Sequence, residues 1–214
     1  MRVAGADEAG KGPVLGSMFA AAVAAPGRDV LPDDVADSKT LSPERRTALA
    51  ASIRETPEVA VGLAEVPPNR IDDPATDMNT LTVTAQAEAL NAVAADGLTC
   101  VVDASDVNPT RFARRLDRRL DPDVTVEARH RADETDDLVA SASIIAKVER
   151  DAHVEALAAE YGAVGSGYPS DPTTRTFLAE YVRDHGELPP CARASWATSR
   201  TVLEAADQAA LDEF

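Results

Sequence analysis

Apolar and polar residues fall in short blocks along the chain, and the period of each block predicts an element. RVAGA (2–6) reads as a short strand ending at Asp7. SMFAAAVAA (17–25), punctuated by Gly16 and Pro26, reads as a second, continuously apolar strand. EVAVGLAEV (58–66) alternates with a period of two and predicts a third. LTCVVDAS (98–105) has the apolar run of a buried strand and delivers Asp103 at its C-terminal end; DVTVEAR (123–129) is the fifth strand. Helical patterns cover 42–55, with Ser42 as N-cap and Pro43 at the first position, then 78–95 and 108–120. A long helix is predicted from about Asp133 to Tyr161. After the glycine-rich turn GAVGSGYPSDP, two more cover 172–185 and about 195–210. Three early strands without long crossovers predict antiparallel pairing, and two later strands separated by helices predict parallel pairing. The expected fold class is α/β: a mixed five-stranded sheet with flanking helices and a C-terminal helical section.

Composition bounds this picture. A chain of 214 residues suits one large domain, or one domain with a small appendage. There is no run of about 18 apolar residues, and charged residues and glycines arrive too early for a signal peptide. Cys100 lies in an apolar run, and neither it nor Cys191 has partners at metal-ligand spacing, so a reduced, cytoplasmic protein is expected. The net charge of −16 would ordinarily argue against nucleic-acid binding. The acids, however, are scattered over the whole chain, and of 21 basic residues only Lys11, Lys39 and Lys147 are lysine. This fits a protein adapted to very high salt, where the screening length falls to about 3 Å at 1 M and net charge says little about partners. An acidic mesophilic protein and a GC-rich genome are the other readings of the same composition. Where lysine is nearly eliminated, a surviving lysine is a candidate point-charge contact.

The stretch GADEAGKG (5–12) has the outline of a phosphate-binding loop. Such a loop needs Ser or Thr after the lysine to reach magnesium, and here that position is Gly12. Asp7 and Glu8 would also put two carboxylates into the phosphate cradle. Acids are instead the theme. Asp7 and Glu8 lie where the first strand ends, Asp103 where the fourth ends, and Asp133 follows the fifth. Ligands of open α/β sheets bind at the carboxyl ends of strands. If strands one, four and five are neighbours, these acids converge on one edge and require cations; oxygen-only ligation favours Mg²⁺ or Mn²⁺. Two such ions would make a phosphodiester-cleaving site. Chance placement among 37 acids, and helix capping by Asp133, remain open on spacing alone.

The segments GADEAGKGPVLG, DSKTLS, VVDASDV, HRADETDDLVASASIIAKVERD and GSGYPSDP resemble, in order, the motifs of type 2 ribonuclease H, ribonuclease HII; they span roughly positions 3 to 178. The start directly after Met1-Arg2 resembles the archaeal branch of the family. The resemblance implies a ribonuclease H-like fold and an endonuclease that cuts RNA in RNA–DNA hybrids and beside single ribonucleotides in duplex DNA, leaving 5′-phosphate and 3′-hydroxyl ends. It implies that Asp7, Glu8, Asp103 and Asp133 are the metal-binding catalytic quartet for Mg²⁺ or Mn²⁺. It implies that Gly10-Lys11-Gly12 reads the 2′-hydroxyl, which distinguishes RNA from DNA. The family often has Arg where this chain has Lys11. Tyr168 resembles the tyrosine that stacks on the sugar at the junction, and Lys39 and Asn79 resemble phosphate-holding positions; for Asn79 a helix-capping role competes. The expected organisation is a catalytic domain over 1–165, a helical section over 166–207 completing the substrate cleft, and a tail over 208–214.

Ser143, Lys147 and Arg150 share one face of the long helix and could meet a nucleic-acid backbone. Arg111, Arg114, Arg115, Arg118 and Arg119 share a face opposite Phe112, Leu116 and Leu120; pairing with nearby acids is favoured there over duplex binding. His130, His153 and His185 form no ligand spacing. The C-terminal QAALDEF places Gln208, Leu211 and Phe214 as in the short motif by which replication proteins dock on the sliding clamp (PCNA); packing of Phe214 on its own domain is the alternative. A monomer with no membrane contact is expected. A nucleotide hydrolase and a binding module with a decayed site are the rival functions. The missing Ser/Thr counts against the first, the intact acids against the second.

Overall fold

The computed structural model describes residues 2–33, 35 and 41–212, with side chains to residue 209. Lys39 and Phe214, and the side chain of Leu211, lie outside the described residues. All five expected strands form: β1 (Val3–Ala9), β2 (Met18–Ala25), β3 (Ala60–Val66), β4 (Leu98–Asp103) and β5 (Val124–Arg129). They make one sheet in the order β3-β2-β1-β4-β5. β1 pairs antiparallel with β2 and parallel with β4, and β4 pairs parallel with β5. The mixed sheet is therefore as expected, with β1 at the point where antiparallel gives way to parallel. Among the described residues, no helix is long and apolar enough to cross a membrane.

The helices are α1 (Pro43–Glu55), α2 (Pro68–Ile71), α3 (Met78–Asn91), α4 (Pro109–Asp117), α5 (Asp137–Tyr161), α6 (Pro172–His185) and α7 (Ala197–Asp212). Caps fix several starts: Ser42 Oγ accepts from Arg45 N–H, Asn108 Oδ1 from Arg111 N–H, and Asp171 Oδ1 from Thr173 N–H, each with proline at the next position. Two boundaries differ from the expectation. β1 continues to Ala9, so Asp7 and Glu8 sit inside the strand. The long helix starts at Asp137, because Asp136 caps it by accepting the N–H groups of Leu138 and Val139; Asp133 lies earlier, in a 3₁₀ turn (Ala132–Glu134). Asp136 is buried and ion-paired to Arg28.

The chain divides into two compact units. The first comprises 1–9, 18–65 and 78–150; it holds the sheet, and its core joins Ala21, Val23, Leu49, Ile53, Ile144 and Ile145. The second comprises 10–17, 66–77 and 151–214, with a core of Val14, Leu15, Leu157, Val164, Phe177 and Leu178. This differs from the boundary expected at 165: the second unit begins at 151 and takes in two earlier segments. Hydrogen bonds within the unit explain the recruitment. Val14 N–H donates to Gly167 O at 2.8 Å, Gly16 N–H to Cys191 O at 2.7 Å, and Asp72 accepts the N–H groups of Ala194 and Ser195.

Gly5 shows how tightly β1 meets α5. A Cβ at this position would collide with the backbone of Leu138 and Val139. Because the obstacle is backbone, Gly5→Ala is expected to lower stability by roughly 1–3 kcal/mol, toward the upper end, through overpacking. Urea denaturation of the two proteins checks this; an unchanged midpoint would mean that α5 can withdraw from β1 without cost.

Candidate active site

Neighbouring residues of a strand point to opposite faces of its sheet. Asp7 shares the parity of Gly5 and goes to the α5 face; Glu8 goes to the α3 face. Asp7 is only 6% exposed. Its Oδ1 accepts the N–H of Glu8 at 2.7 Å, and the Ser143 hydroxyl of α5 lies beside it. Ser143 Oγ is fully buried and makes no hydrogen bond of regular geometry, so it eases the Asp7 charge only in part. Glu8 is half-buried, and its Oε2 accepts from Gln86 Nε2 of α3 at 2.6 Å. The same nitrogen donates to the carbonyl of Asp103 at 3.1 Å.

The β1–β4 ladder ends at Ala6 opposite Val102, so the next residues of the two strands are Asp7 and Asp103. Asp103 Oδ1 accepts the N–H of Ala132 at 2.7 Å, which ties the end of β4 to the turn that carries Asp133. That turn is entered through Arg131, a non-glycine residue in the left-handed region (φ 54°). Such a conformation is uncommon and is found where the surroundings impose it, functional sites among them. His130 is local to the same connection, with Nδ1 3.0 Å from Ala104 O. Among the described residues, no three Asp, Glu, His or Cys side chains are gathered into a ready metal cage. Asp7 and Glu8 leave opposite faces of β1, and Glu8 and Asp103 each accept a hydrogen bond from a neighbouring element.

The electrostatics of these acids could suit a cation. Burial pushes Asp7 well above the ordinary carboxylate range, and the charges of Glu8 and Asp103 push it further; Ser143 and the Glu8 N–H oppose them. Ionising these groups together calls for positive charge, and an all-oxygen donor set suits a hard divalent ion.

Other expected site residues fall in different surroundings. Ser143 is fully buried beside Asp7, which replaces the exposed backbone contact expected of it. Lys147 and Arg150, further along α5, are half-exposed. Asn79 is exposed, one residue past the start of α3, so it is not the N-cap of that helix. On the basic face of α4, Arg111 binds the buried Asp106 through two contacts, at 2.5 and 3.1 Å, and holds its carboxyl below the usual range. Arg115 approaches Asp106 at 3.9 Å and donates to Thr80 Oγ1 at 2.6 Å. For these two arginines, pairing with a nearby acid is what the structure shows.

The second unit holds the glycine loop, and sequence reasoning missed its organiser. Arg193 is fully buried. It donates from Nε to Gly16 O at 2.9 Å, from Nη1 to Lys11 O at 3.0 Å and from Nη2 to Gly10 O at 2.6 Å. Trp196 Nε1 donates to Gly12 O at 3.2 Å, and its ring lies 5.0 Å from the Arg193 guanidinium. The carbonyls of residues 10, 11 and 12 thus point to one side. In trans peptides the following N–H points the opposite way, so those of Lys11 and Gly12 face away from Arg193. A Cβ on Gly12 would lie 3.6 Å from the Tyr168 ring, and Tyr168 is 40% exposed. Gln86 was missed as well. Both look like ordinary members of a helix or loop in sequence, and only tertiary contact reveals them.

The sheet order and the acids at the ends of β1 and β4 define a ribonuclease H-like domain. The chain belongs to the ribonuclease HII family, whose model matches residues 4–199. It is 65% identical to ribonuclease HII of the halophilic archaeon Halobacterium salinarum over 98% of both chains. The ribonuclease H2 structure from Pyrococcus horikoshii matches with a TM-score of 0.88 and 39% identity, covering 97% of this chain and all of the other. The ribonuclease HII of Archaeoglobus fulgidus, solved in complex with PCNA, matches with a TM-score of 0.82 and 40% identity over 92% of this chain and 95% of that one. The protein is accordingly a divalent-metal-dependent ribonuclease H, a nuclease acting on RNA–DNA hybrids.

The raised pKa of Asp7 has a consequence for the metal-free protein. A carboxyl whose folded pKa lies above its unfolded value adds stability below the unfolded value, and that contribution disappears as pH rises through the folded one. In chelator, the melting temperature of the wild type relative to Asp7→Asn is therefore expected to fall as pH rises above the ordinary aspartate range, and saturating Mg²⁺ should restore it. A wild-type-minus-variant difference that is flat in pH and indifferent to Mg²⁺ would remove Asp7 from the charge cluster.

Proposed function

We propose that the enzyme cuts both continuous RNA–DNA hybrids and single ribonucleotides in duplex DNA, with Asp7, Glu8, Asp103 and Asp133 holding two divalent cations, Mg²⁺ or Mn²⁺. The supporting observation is the placement of Asp7, Glu8 and Asp103 toward the ends of two neighbouring parallel strands, where the charges of Glu8 and Asp103 add to burial in raising the Asp7 pKa. Asp133 joins the set through the turn bonded to Asp103. Ions held by these carboxylates would supply Lewis-acid stabilisation of the charge that develops during hydrolysis. Water adds to phosphorus as its bond to the 3′-oxygen breaks, so one product ends in a 3′-hydroxyl and the other begins with a 5′-phosphate. The protein's part is to keep the carboxylates close despite their repulsion and to present the strand.

Recognition of the ribonucleotide is assigned to the second unit. The Lys11 and Gly12 N–H groups, turned away from Arg193, suit a 2′-hydroxyl oxygen as acceptor, and the half-exposed Tyr168 beside Gly12 suits stacking on the junction sugar. Lys11, Lys39, Asn79, Lys147 and Arg150 supply positive charge or hydrogen bonds to phosphates. Ser143 is reassigned from phosphate contact to support of Asp7.

On a duplex with one embedded ribonucleotide, the wild type should cut with Mg²⁺ or Mn²⁺, and Asp103→Asn or Asp133→Asn should lose several orders of magnitude in rate while melting normally. Tyr168→Ala should lose far more on the lone ribonucleotide than on continuous hybrid, a stacking contact being worth about 1–3 kcal/mol. Near-normal turnover by either Asn variant at saturating metal would refute the quartet, and equal losses on both substrates would give Tyr168 a structural role.

The Archaeoglobus relative solved with PCNA favours a clamp-binding role for the tail. Gln208 is exposed on α7, four residues before that helix ends at Asp212. Deleting 208–214 is expected to abolish binding to the sliding clamp in surface plasmon resonance, with hybrid cleavage and melting temperature retained. A lower melting temperature with clamp binding intact would assign the tail to the fold.

A further inference from the structure

Gln86 is a long polar side chain on the buried face of α3, among Leu81, Val83, Ala89 and Leu90. It is fully buried. Its Nε2 lies 2.6 Å from Glu8 Oε2 and 3.1 Å from the carbonyl oxygen of Asp103. Both partners are acceptors, so the NH₂ end must face them and the amide cannot be reversed. The other end, Oε1, is buried without a hydrogen-bond partner among the described residues. A buried acceptor left unpaired is destabilising. Leucine or methionine would fill the space without that penalty, so packing gives no reason for an amide here.

We infer that Gln86 is a positioning residue for the cation site: its single amide nitrogen clamps the Glu8 carboxylate to the end of β4 and so fixes the spacing of Glu8 and Asp103. This rests on the reading of Glu8 and Asp103 as cation ligands. The chemistry suits the task. Glu8 has a flexible stem, and unheld it would lose orientational freedom each time a cation binds. A lysine or arginine would hold it but would compete with the cation for its charge. A carboxylate would add to the repulsion around Asp7. A neutral donor orients one oxygen of Glu8 and leaves the negative charge in place. The bond to the Asp103 carbonyl places that anchor on β4, beside the other acid, instead of on a surface loop.

The test is cation binding by the metal-free protein, measured by titration calorimetry with Mn²⁺, for Gln86→Met and Gln86→Leu with Glu8→Gln as reference. Both Gln86 variants should melt cooperatively at or above the wild-type temperature, since the unpaired Oε1 is gone. Their Mn²⁺ affinity should fall by about 10-fold to 100-fold, the usual effect of removing a partner that orients a ligand. On continuous hybrid, kcat should fall at limiting metal and recover in part at high metal, with KM for the hybrid within about twofold of wild type. Wild-type Mn²⁺ affinity in both Gln86 variants, alongside a loss in Glu8→Gln, would overturn this inference alone. Wild-type affinity in Glu8→Gln would overturn the reading of the site beneath it. Loss of cooperative melting in both Gln86 variants would give the amide a purely structural role and also overturn the inference.

Discussion

The structure is organised around a repulsion. Asp7, Glu8 and Asp103 bring three carboxyl groups toward the ends of two adjacent strands, and Asp7 is buried there, where ionising it is opposed by burial and by its neighbours' charge. Left in water these groups would move apart; the sheet forbids it, because β1 and β4 are held in register up to the residues just before them. The fold meets the repulsion with fixed donors: the Glu8 N–H on Asp7, the Gln86 amide on Glu8 and the Ala132 N–H on Asp103. None of these donors is charged. Each of these donors therefore orients its carboxylate without itself bringing a positive charge. The close approach of Gly5 to α5 belongs to the same arrangement, since it sets the depth at which Asp7 sits beneath that helix.

Much of this was legible in the sequence. Strands show as period-two or continuously apolar runs, and all five lie where those runs predict them. The N-cap at Ser42 is a local signal that tertiary structure had no need to override. Of the acids singled out in the sequence, Asp103 ends β4 as its apolar run predicts, whereas Asp7 and Glu8 lie inside β1. What the sequence concealed depends on contacts between distant residues. The start of α5 differs from the expectation because ADETDD offers several capping acids, and it is the buried Asp136, paired to a half-exposed Arg28, that accepts the first N–H groups. Arg193 is one of 18 arginines, and nothing near it in sequence marks the one that is buried. Gln86 sits on a helix face whose pattern reads as plain core. Ser143 shares a helix face with Lys147 and Arg150, yet the helix is buried at one end of that stripe and half-exposed at the other.

The acidic surface and the nucleic-acid substrate are compatible once charge is considered by location. Lysine is almost absent, and of the three that remain, Lys11 lies on the glycine loop and Lys147 on α5 beyond Ser143. At high ionic strength only short-range charge survives screening. A few well-placed cations can then matter more than the sign of the whole molecule. The 65% identity to an enzyme from a halophilic archaeon fits that balance.

Arg193 has a consequence for the order in which the enzyme matures. Its guanidinium holds carbonyls of residues 10, 11 and 16, more than 170 positions earlier in the chain. Contacts so distant in sequence form late, because the intervening chain must be closed first. During synthesis the amino end leaves the ribosome long before residue 193 exists. The growing polypeptide lacks the Arg193 donors to those three carbonyls until residue 193 has been made. The segment that would recognise a ribonucleotide thus takes shape late, and a product terminated before residue 193 carries its acids but lacks the guanidinium that organises this loop.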